Sequence, residues 1–175
     1  MNRRLAQGYE PDAGAGLPAV VALGANLGDR AATLAAAAAD LRALPLVSHV
    51  RIAEPIASVA ITPHGPDPDA PGYLNSVAVL RTRLAPTVLL AELHRIEARH
   101  GRVRRERWGD RTLDLDLISV DDLRCDTAEL TLPHPRAAER DFVLAPWLAL
   151  DPDAVLPGRG AAADLLARLR EAGAS

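Results

Sequence analysis

The chain contains no lysine: all 20 of its basic side chains are arginine. No fold or reaction demands that, so it is read with the abundance of alanine as a compositional bias. Aromatic residues make up only 3% of the chain, too few to line a sheet for base stacking. The balance of 20 basic against 23 acidic side chains gives a net charge of −3. A general attraction for nucleic acid or acidic membranes is thereby excluded, and any anion site must be local. The single cysteine, Cys125, cannot form an internal disulfide, which fits a reducing compartment. No apolar run reaches the length that spans a bilayer, and MNRRLAQGYEPDAGAGLP lacks the apolar segment of a secretory signal. The expectation is a cytoplasmic protein.

What is present is enough for one core. A chain of 175 residues with 49% apolar side chains is too short for two ordinary domains. Residues 1–17 are polar and Gly-rich, so they read as a flexible tail, leaving 18–175 as a single domain. PAVVALG (18–24) reads as a strand, and the helix after it has Asp29 as its N-cap, a stripe of Leu34, Ala38, Leu41 and Leu44, and Pro45 as its stop. Residues 46–60 have strand composition broken by Pro55, the mark of an edge or interrupted strand. Four prolines within 62–72 predict a loop. Residues 73–84 form a strand apolar on both faces, with Val77 and Val79 opposed to Ala78 and Leu80. A helix over 86–100 follows, apolar at 89, 93 and 96 and ended by Gly101. LDLDLISV is the next strand, and a last helix is expected near 161–172. The order β-α-β-β-α-β predicts an α+β fold, a ferredoxin-like antiparallel sheet covered by helices on both faces in an α/β/α three-layer sandwich.

The chemistry gathers in RERWGDRTLDLDLISVDD. Alternate strand residues share a face roughly 6.5–7 Å apart, so Asp114 and Asp116 project together while Leu113, Leu115 and Leu117 pack behind them. Two close carboxylates repel unless a cation joins them or one is protonated. Mg²⁺ held by carboxylates and substrate phosphates is one solution, and a pair meeting water or arginine at a strand end is another. Six arginines lie within residues 99–111 against Glu106 and Asp110, and guanidinium groups beside metal-binding carboxylates suit a nucleoside triphosphate. An arginine run is also a common solvated face. Trp108 could anchor that loop or cover a ligand. GANLGDR (24–30) lacks the Lys-Ser/Thr pair of a P-loop, so it reads as a turn and helix cap. His134, fixed between prolines in LPHPR, could reach phosphate.

Four stretches together resemble the 6-hydroxymethyl-7,8-dihydropterin pyrophosphokinase family: VALGANLGDR, PGYLNSVAVL, GRVRRERWGDRTLDLDLI and LPHPRAAERDFVLAPWLALDP. The likeness runs from about residue 19 to 157. It implies pyrophosphoryl transfer from ATP to the pterin hydroxymethyl oxygen in folate biosynthesis, with release of AMP and two Mg²⁺ ions. A monomer is expected. Carried across by position, it makes Asp114 and Asp116 the metal ligands and sets Arg102, Arg104, Arg111, His134 and Arg140 around the triphosphate, with Trp108 beside them. Asn75 becomes a pterin hydrogen-bonding residue, and Tyr73 and Phe142 the rings sandwiching the heterocycle. Leu117 meets adenine through its backbone, His94 and Glu97 line the nucleotide side, and Thr62, Pro63 and Gly65 align with the pterin pocket. The arginine loop and the 62–72 loop are expected to close over the substrates.

Departures from the family pattern are Ala25 in place of Ser, Asp110 in place of Pro, and an arginine loop one residue shorter. Two other classes compete. A nucleotidyltransferase would place its acidic pair soon after the Gly-rich turn, whereas about 90 residues intervene here. A nucleic-acid-binding ferredoxin-like module would show exposed aromatics and a basic balance.

Overall fold

β1 (Leu17–Ala25) is the strand around which the rest is arranged. It lies between β6 (Tyr73–Thr82) and β7 (Asp114–Val120), antiparallel to both, and β2 (Val47–Ile52) completes the order β2-β6-β1-β7. The computed structural model describes residues 16–62, 65–67, 72–101 and 112–173. A strand flanked on both sides needs apolar residues on both faces, and β1 supplies them: Ala19, Val21, Leu23 and Ala25 face one core cluster, Val20 and Ala22 the other. β6 divides in the same way, with Ala78 and Leu80 on the first face and Val77 and Val79 on the second.

Each face has its own helices. On the first lie α1 (Arg30–Ala43), through Leu34, Ala37 and Leu41, and α2 (Pro86–Arg99), through Leu89, Leu93 and Ile96. On the second lie α3 (Asp141–Leu150), through Val143, Leu144 and Trp147, and α4 (Ala162–Gly173), through Leu165 and Leu166. The expected helical stripes are buried. Asp29 caps α1 by accepting the N–H of Ala32 at 3.0 Å. Leu44, the residue before Pro45, turns extended at φ −63° and ψ 133° and ends the helix.

The sheet is irregular in two ladders: β2–β6 shifts register between Ser48 and Arg51, and β1–β7 shifts beside the candidate site. The β1–β7 register shifts between Val20, opposite Ser119, and Val21, opposite Leu117. The extra residue at this bulge reverses the alternation, so Ile118 faces the second cluster while Val120, two residues on, faces the first.

The region 46–60 is both an edge strand and a broken one: β2 ends at Ile52, and β3 (Ile56–Ser58) resumes the pairing with β6 after Pro55. Two expectations need correcting. The 62–72 stretch is not entirely loop, because β4 (Ala60–Thr62) pairs with β5 (Gly65–Asp67). A ladder three residues long is all edge and needs few donors, so Pro66 opposite Ile61 is tolerated. Second, α3 lies between β7 and the last helix, where the sequence predicts no helix. Pro146 lies inside it and removes one backbone donor, but the buried Val143, Leu144 and Trp147 hold the segment helical. Two-residue ladders, β8 (Cys125–Asp126) with β9 (Thr131–Leu132) and β10 (Val155–Leu156) with β11 (Gly160–Ala161), tie down the loops around α3.

Candidate active site

At one end of the sheet, three neighbouring strands bring Asn75, Gly24 and Asp114 side by side. Gly24 of β1 is the register partner of Asn75 on β6 and of Asp114 on β7. Adjacent strands lie about 4.8 Å apart, so the amide and the carboxylate stand about 10 Å apart across the glycine. One step deeper, Ala22 is opposite Asp116. Since Leu113, Leu115 and Leu117 point into the first cluster, Asp114 and Asp116 share the second face with Asn75 and Tyr73. Both aspartates are partly buried.

Asn75 and Asp116 are held from outside their own strands. Asn75 is 6% exposed, and its Nδ2 donates to Ser58 Oγ on β3 at 2.7 Å. That bond sets the amide orientation and leaves Oδ1 towards Gly24, where an added Cβ would stand 3.3 Å from it and 4.0 Å from Tyr73. Arg30, after the turn that follows β1, donates from Nη1 to the carbonyl of Gly72 and so tethers the start of β6. On the opposite flank, Arg140 Nη1 donates to Asp116 Oδ2 at 2.6 Å. Its guanidinium also lies over the Phe142 ring, 5.8 Å from the centroid. Phe142 is partly buried against the second cluster, so it borders both the core and the site.

His134 is placed by its backbone and its neighbours. Its N–H donates to the Ile118 carbonyl at 2.8 Å, and Nδ1 accepts the Arg136 N–H at 3.2 Å. With Nδ1 accepting, Nε2 carries the proton, and it stands 3.9 Å from Asp116 Oδ2. Burial is the main cause that holds the imidazole below its ordinary pKa. Asp116 pulls it upward, the guanidinium groups of Arg140 and Arg136 push it down, and Asp114 pulls it up again. The lowered value makes His134 a neutral donor near pH 7.

Of the residues singled out from the sequence, the fold brings together Tyr73, Asn75, Asp114, Asp116, His134, Arg140 and Phe142. His94 and Glu97 lie on α2, across the sheet from these groups. His94 is exposed, whereas Glu97 is 1% exposed and its Oε1 accepts the Leu115 N–H at 2.8 Å. The Leu117 side chain belongs to the first core cluster. Thr62 and Gly65 are register partners in the β4–β5 ladder. Pro63, Arg102, Arg104, Trp108 and Arg111 lie outside the described residues. Sequence reasoning missed Ser58 and the bare position at Gly24. Ser58 gave no signal, whereas Gly24 had one in a glycine ending an otherwise apolar strand.

Among the described residues, no group of three or more His, Cys, Asp or Glu is arranged to enclose a metal. Asp114 and Asp116 set two carboxylates on one face of the sheet. A guanidinium already drawn onto Asp116 shows a carboxylate that attracts a cation.

The comparison with known proteins then decides the family. The sequence model of the 7,8-dihydro-6-hydroxymethylpterin-pyrophosphokinase (HPPK) family matches residues 20–152. The chain belongs to the HPPK family. The 2-amino-4-hydroxy-6-hydroxymethyldihydropteridine pyrophosphokinase of Synechocystis sp. is 42% identical over 142 residues, covering 81% of this chain and 70% of that protein. Its counterpart in Haemophilus influenzae is 40% identical over 141 residues, covering 81% and 86% respectively. The fold of this HPPK-family chain is also that of an HPPK-DHPS crystallised with substrates, at a TM-score of 0.63 and 12% identity. That likeness covers 90% of this chain and 44% of the other. The Plasmodium falciparum HPPK-DHPS gives a TM-score of 0.54 at 10% identity over 87% of this chain and 43% of that one. The chain thus spans less than half the length of these solved chains.

Proposed function

We propose that this protein transfers pyrophosphate from ATP to the hydroxymethyl group of 6-hydroxymethyl-7,8-dihydropterin, releasing AMP, as a step of folate biosynthesis. The observation that carries the reading is the meeting, at one sheet end of an HPPK-family chain, of an acidic pair on β7 and an amide-and-ring group on β6 and α3. Asn75, oriented by Ser58, is suited to hydrogen-bond the edge of a flat heterocycle, and Tyr73 and Phe142 to hold its faces. The width of one strand then separates this pocket from Asp114 and Asp116, about the reach of a hydroxymethyl arm and a phosphate. Thr62, Pro63 and Gly65 complete the pterin pocket in this reading.

Asp114 and Asp116 fit Mg²⁺, which commonly takes one or two carboxylates and completes its octahedron with phosphate oxygens and water. The reading assigns two such ions, whose contribution when bound is to neutralise phosphate charge and polarise the phosphorus under attack. The chain's own residues do the rest. Asp116, which now accepts from Arg140, would hold an ion in its place, and the Arg140 guanidinium would then meet phosphate oxygens alongside Arg102, Arg104 and Arg111. His134 offers its Nε2 proton to a phosphate oxygen. His94, Trp108 and the Leu117 backbone are assigned to the nucleotide side. The alcohol oxygen attacks the β-phosphorus and gives its proton to water, the bond from that phosphorus to the α,β-bridging oxygen breaks, and AMP departs with that oxygen. The catalysis is positioning and charge neutralisation.

The strand order β2-β6-β1-β7 and the two clusters on opposite sheet faces support a ferredoxin-like core within an α/β/α sandwich, with 18–175 as one domain. The test is AMP release from ATP and Mg²⁺ with and without the pterin, using Asp116→Ala as control. Pterin-dependent AMP that disappears in the variant is expected. ADP as product, or an Asp116→Ala protein with near-normal turnover, overturns the proposal.

A further inference from the structure

Asp114 and Asp116 stand on a strand that has β1 on one side and, among the described strands, no sheet neighbour on the other. A strand with one neighbour leaves alternate backbone donors unpaired and is free to twist. In β7 the donor between the two aspartates, the Leu115 N–H, is taken by the Glu97 carboxylate at 2.8 Å. Glu97 comes from the last turn of α2 and is 1% exposed. Its neighbours on the buried face of that helix are Leu89, Leu93 and Ile96, all fully buried. An apolar residue at this position would pack there without the cost of enclosing a carboxylate. The position instead holds an acceptor aimed at the backbone joining the two aspartates.

We infer that Glu97 is a positioning residue for the metal site: through the Leu115 amide it fixes the segment of β7 that sets the spacing and direction of Asp114 and Asp116. This rests on the metal-site reading given under Proposed function and assigns Glu97 a role on the strand rather than on the nucleotide. Leu113, Leu115 and Leu117 hold the same segment by packing on the α2 side, and the Glu97 bond adds the directional restraint that packing lacks. Groups that orient ligands in this way typically change metal affinity by about 10–100-fold when removed.

The experiment uses the full chain with Mn²⁺ as the probe and α,β-methylene-ATP as a nucleotide that cannot be cleaved. Ion binding is followed by electron paramagnetic resonance in wild type, E97Q, E97L and D116A. Glutamine keeps the acceptor and loses the charge, whereas leucine keeps the packing and loses the acceptor. The inference expects E97L, with an unchanged circular dichroism spectrum, to bind Mn²⁺ about 10-fold or more weakly, and E97Q to stay within about 3-fold of wild type. A loss in E97Q as large as that in E97L would place the effect in the charge and overturn the inference. An E97L protein binding like wild type, while D116A loses the ion, overturns the inference alone. D116A binding like wild type overturns the metal site itself. Should E97L fail to fold, amide hydrogen exchange on the wild type decides. Protection of the Leu115 amide comparable to that of the β1–β7 paired amides supports the bond, and fast exchange overturns it.

Discussion

Gly24→Ala separates the demands of the fold from those of the proposed pterin site, because the two should respond with different signs. Gly24 sits in the extended strand β1 with no left-handed backbone, so alanine meets no conformational penalty there. The substitution even gains about 0.4–1 kcal/mol by narrowing the unfolded ensemble. Against this stands the new methyl group, 3.3 Å from Asn75 Oδ1. That contact needs a shift of a few tenths of an ångström, and the Asn75 amide is tied to Ser58 at 2.7 Å. Global stability should therefore change by less than about 1 kcal/mol.

Pterin binding has no such compensation. A displaced Asn75 amide loses one hydrogen bond, about 1 kcal/mol, and if a buried partner is left unpaired the loss reaches about 3 kcal/mol. At about 1.4 kcal/mol per decade, this is a drop in pterin affinity of about 5- to 150-fold. Equilibrium titration of the pterin in the presence of α,β-methylene-ATP, with thermal melting of the same sample, gives both quantities. Unchanged pterin affinity in a protein of unchanged stability would refute the placement of the heterocycle against Asn75.

Three further outcomes follow from other parts of the molecule. Replacing Arg140 by Gln removes the cation resting on Asp116, so Mn²⁺ binding without nucleotide should tighten several-fold while kcat falls by more than about 10-fold; weaker metal binding in the absence of nucleotide would contradict the exchange of Arg140 for an ion. Leu93→Ala, at a fully buried position on α2, should lower unfolding free energy by about 2–5 kcal/mol in urea, and a loss below about 1 kcal/mol would show that α2 does not close the first core. At Asp40, burial favours the neutral acid, but the His100 hydrogen bond and Arg99 together hold its pKa below the ordinary value. Its stabilisation is then present above about pH 4 and is lost as the pH falls through the folded value. Asp40→Asn should flatten that acid limb by no more than about 1 kcal/mol, because Asp40 and Arg99 stay partly open to solvent.

How far the sequence revealed this arrangement depended on whether a signal was local. The helical stripes of α1 and α2, the two apolar faces of β6 and the projection of Asp114 and Asp116 opposite three leucines were legible, because each is a periodicity within a dozen residues. The helix α3 was not, since Pro146 breaks the local pattern while the forces that override it are contacts of Val143, Leu144 and Trp147 with distant strands. The β4–β5 ladder was hidden for a similar reason. Prolines predict the loss of donors, but a three-residue ladder at an edge hardly needs them. In the site, the residue types were visible and their couplings were not. No spacing in the sequence announces that Ser58 orients Asn75, that Arg140 rests on Asp116, or that Glu97 reaches through to the backbone of Leu115.

The convergence of Gly24, Asn75 and Asp114 also bears on how the protein gains and loses activity. These three residues are neighbours only through strand pairings between distant parts of the chain, contacts that close late because each requires a long loop to be closed first. A partly assembled sheet would hold one flank of the site without the other. Turnover should therefore appear in refolding only with the last central pairing, and heat inactivation should follow the main melting transition instead of preceding it.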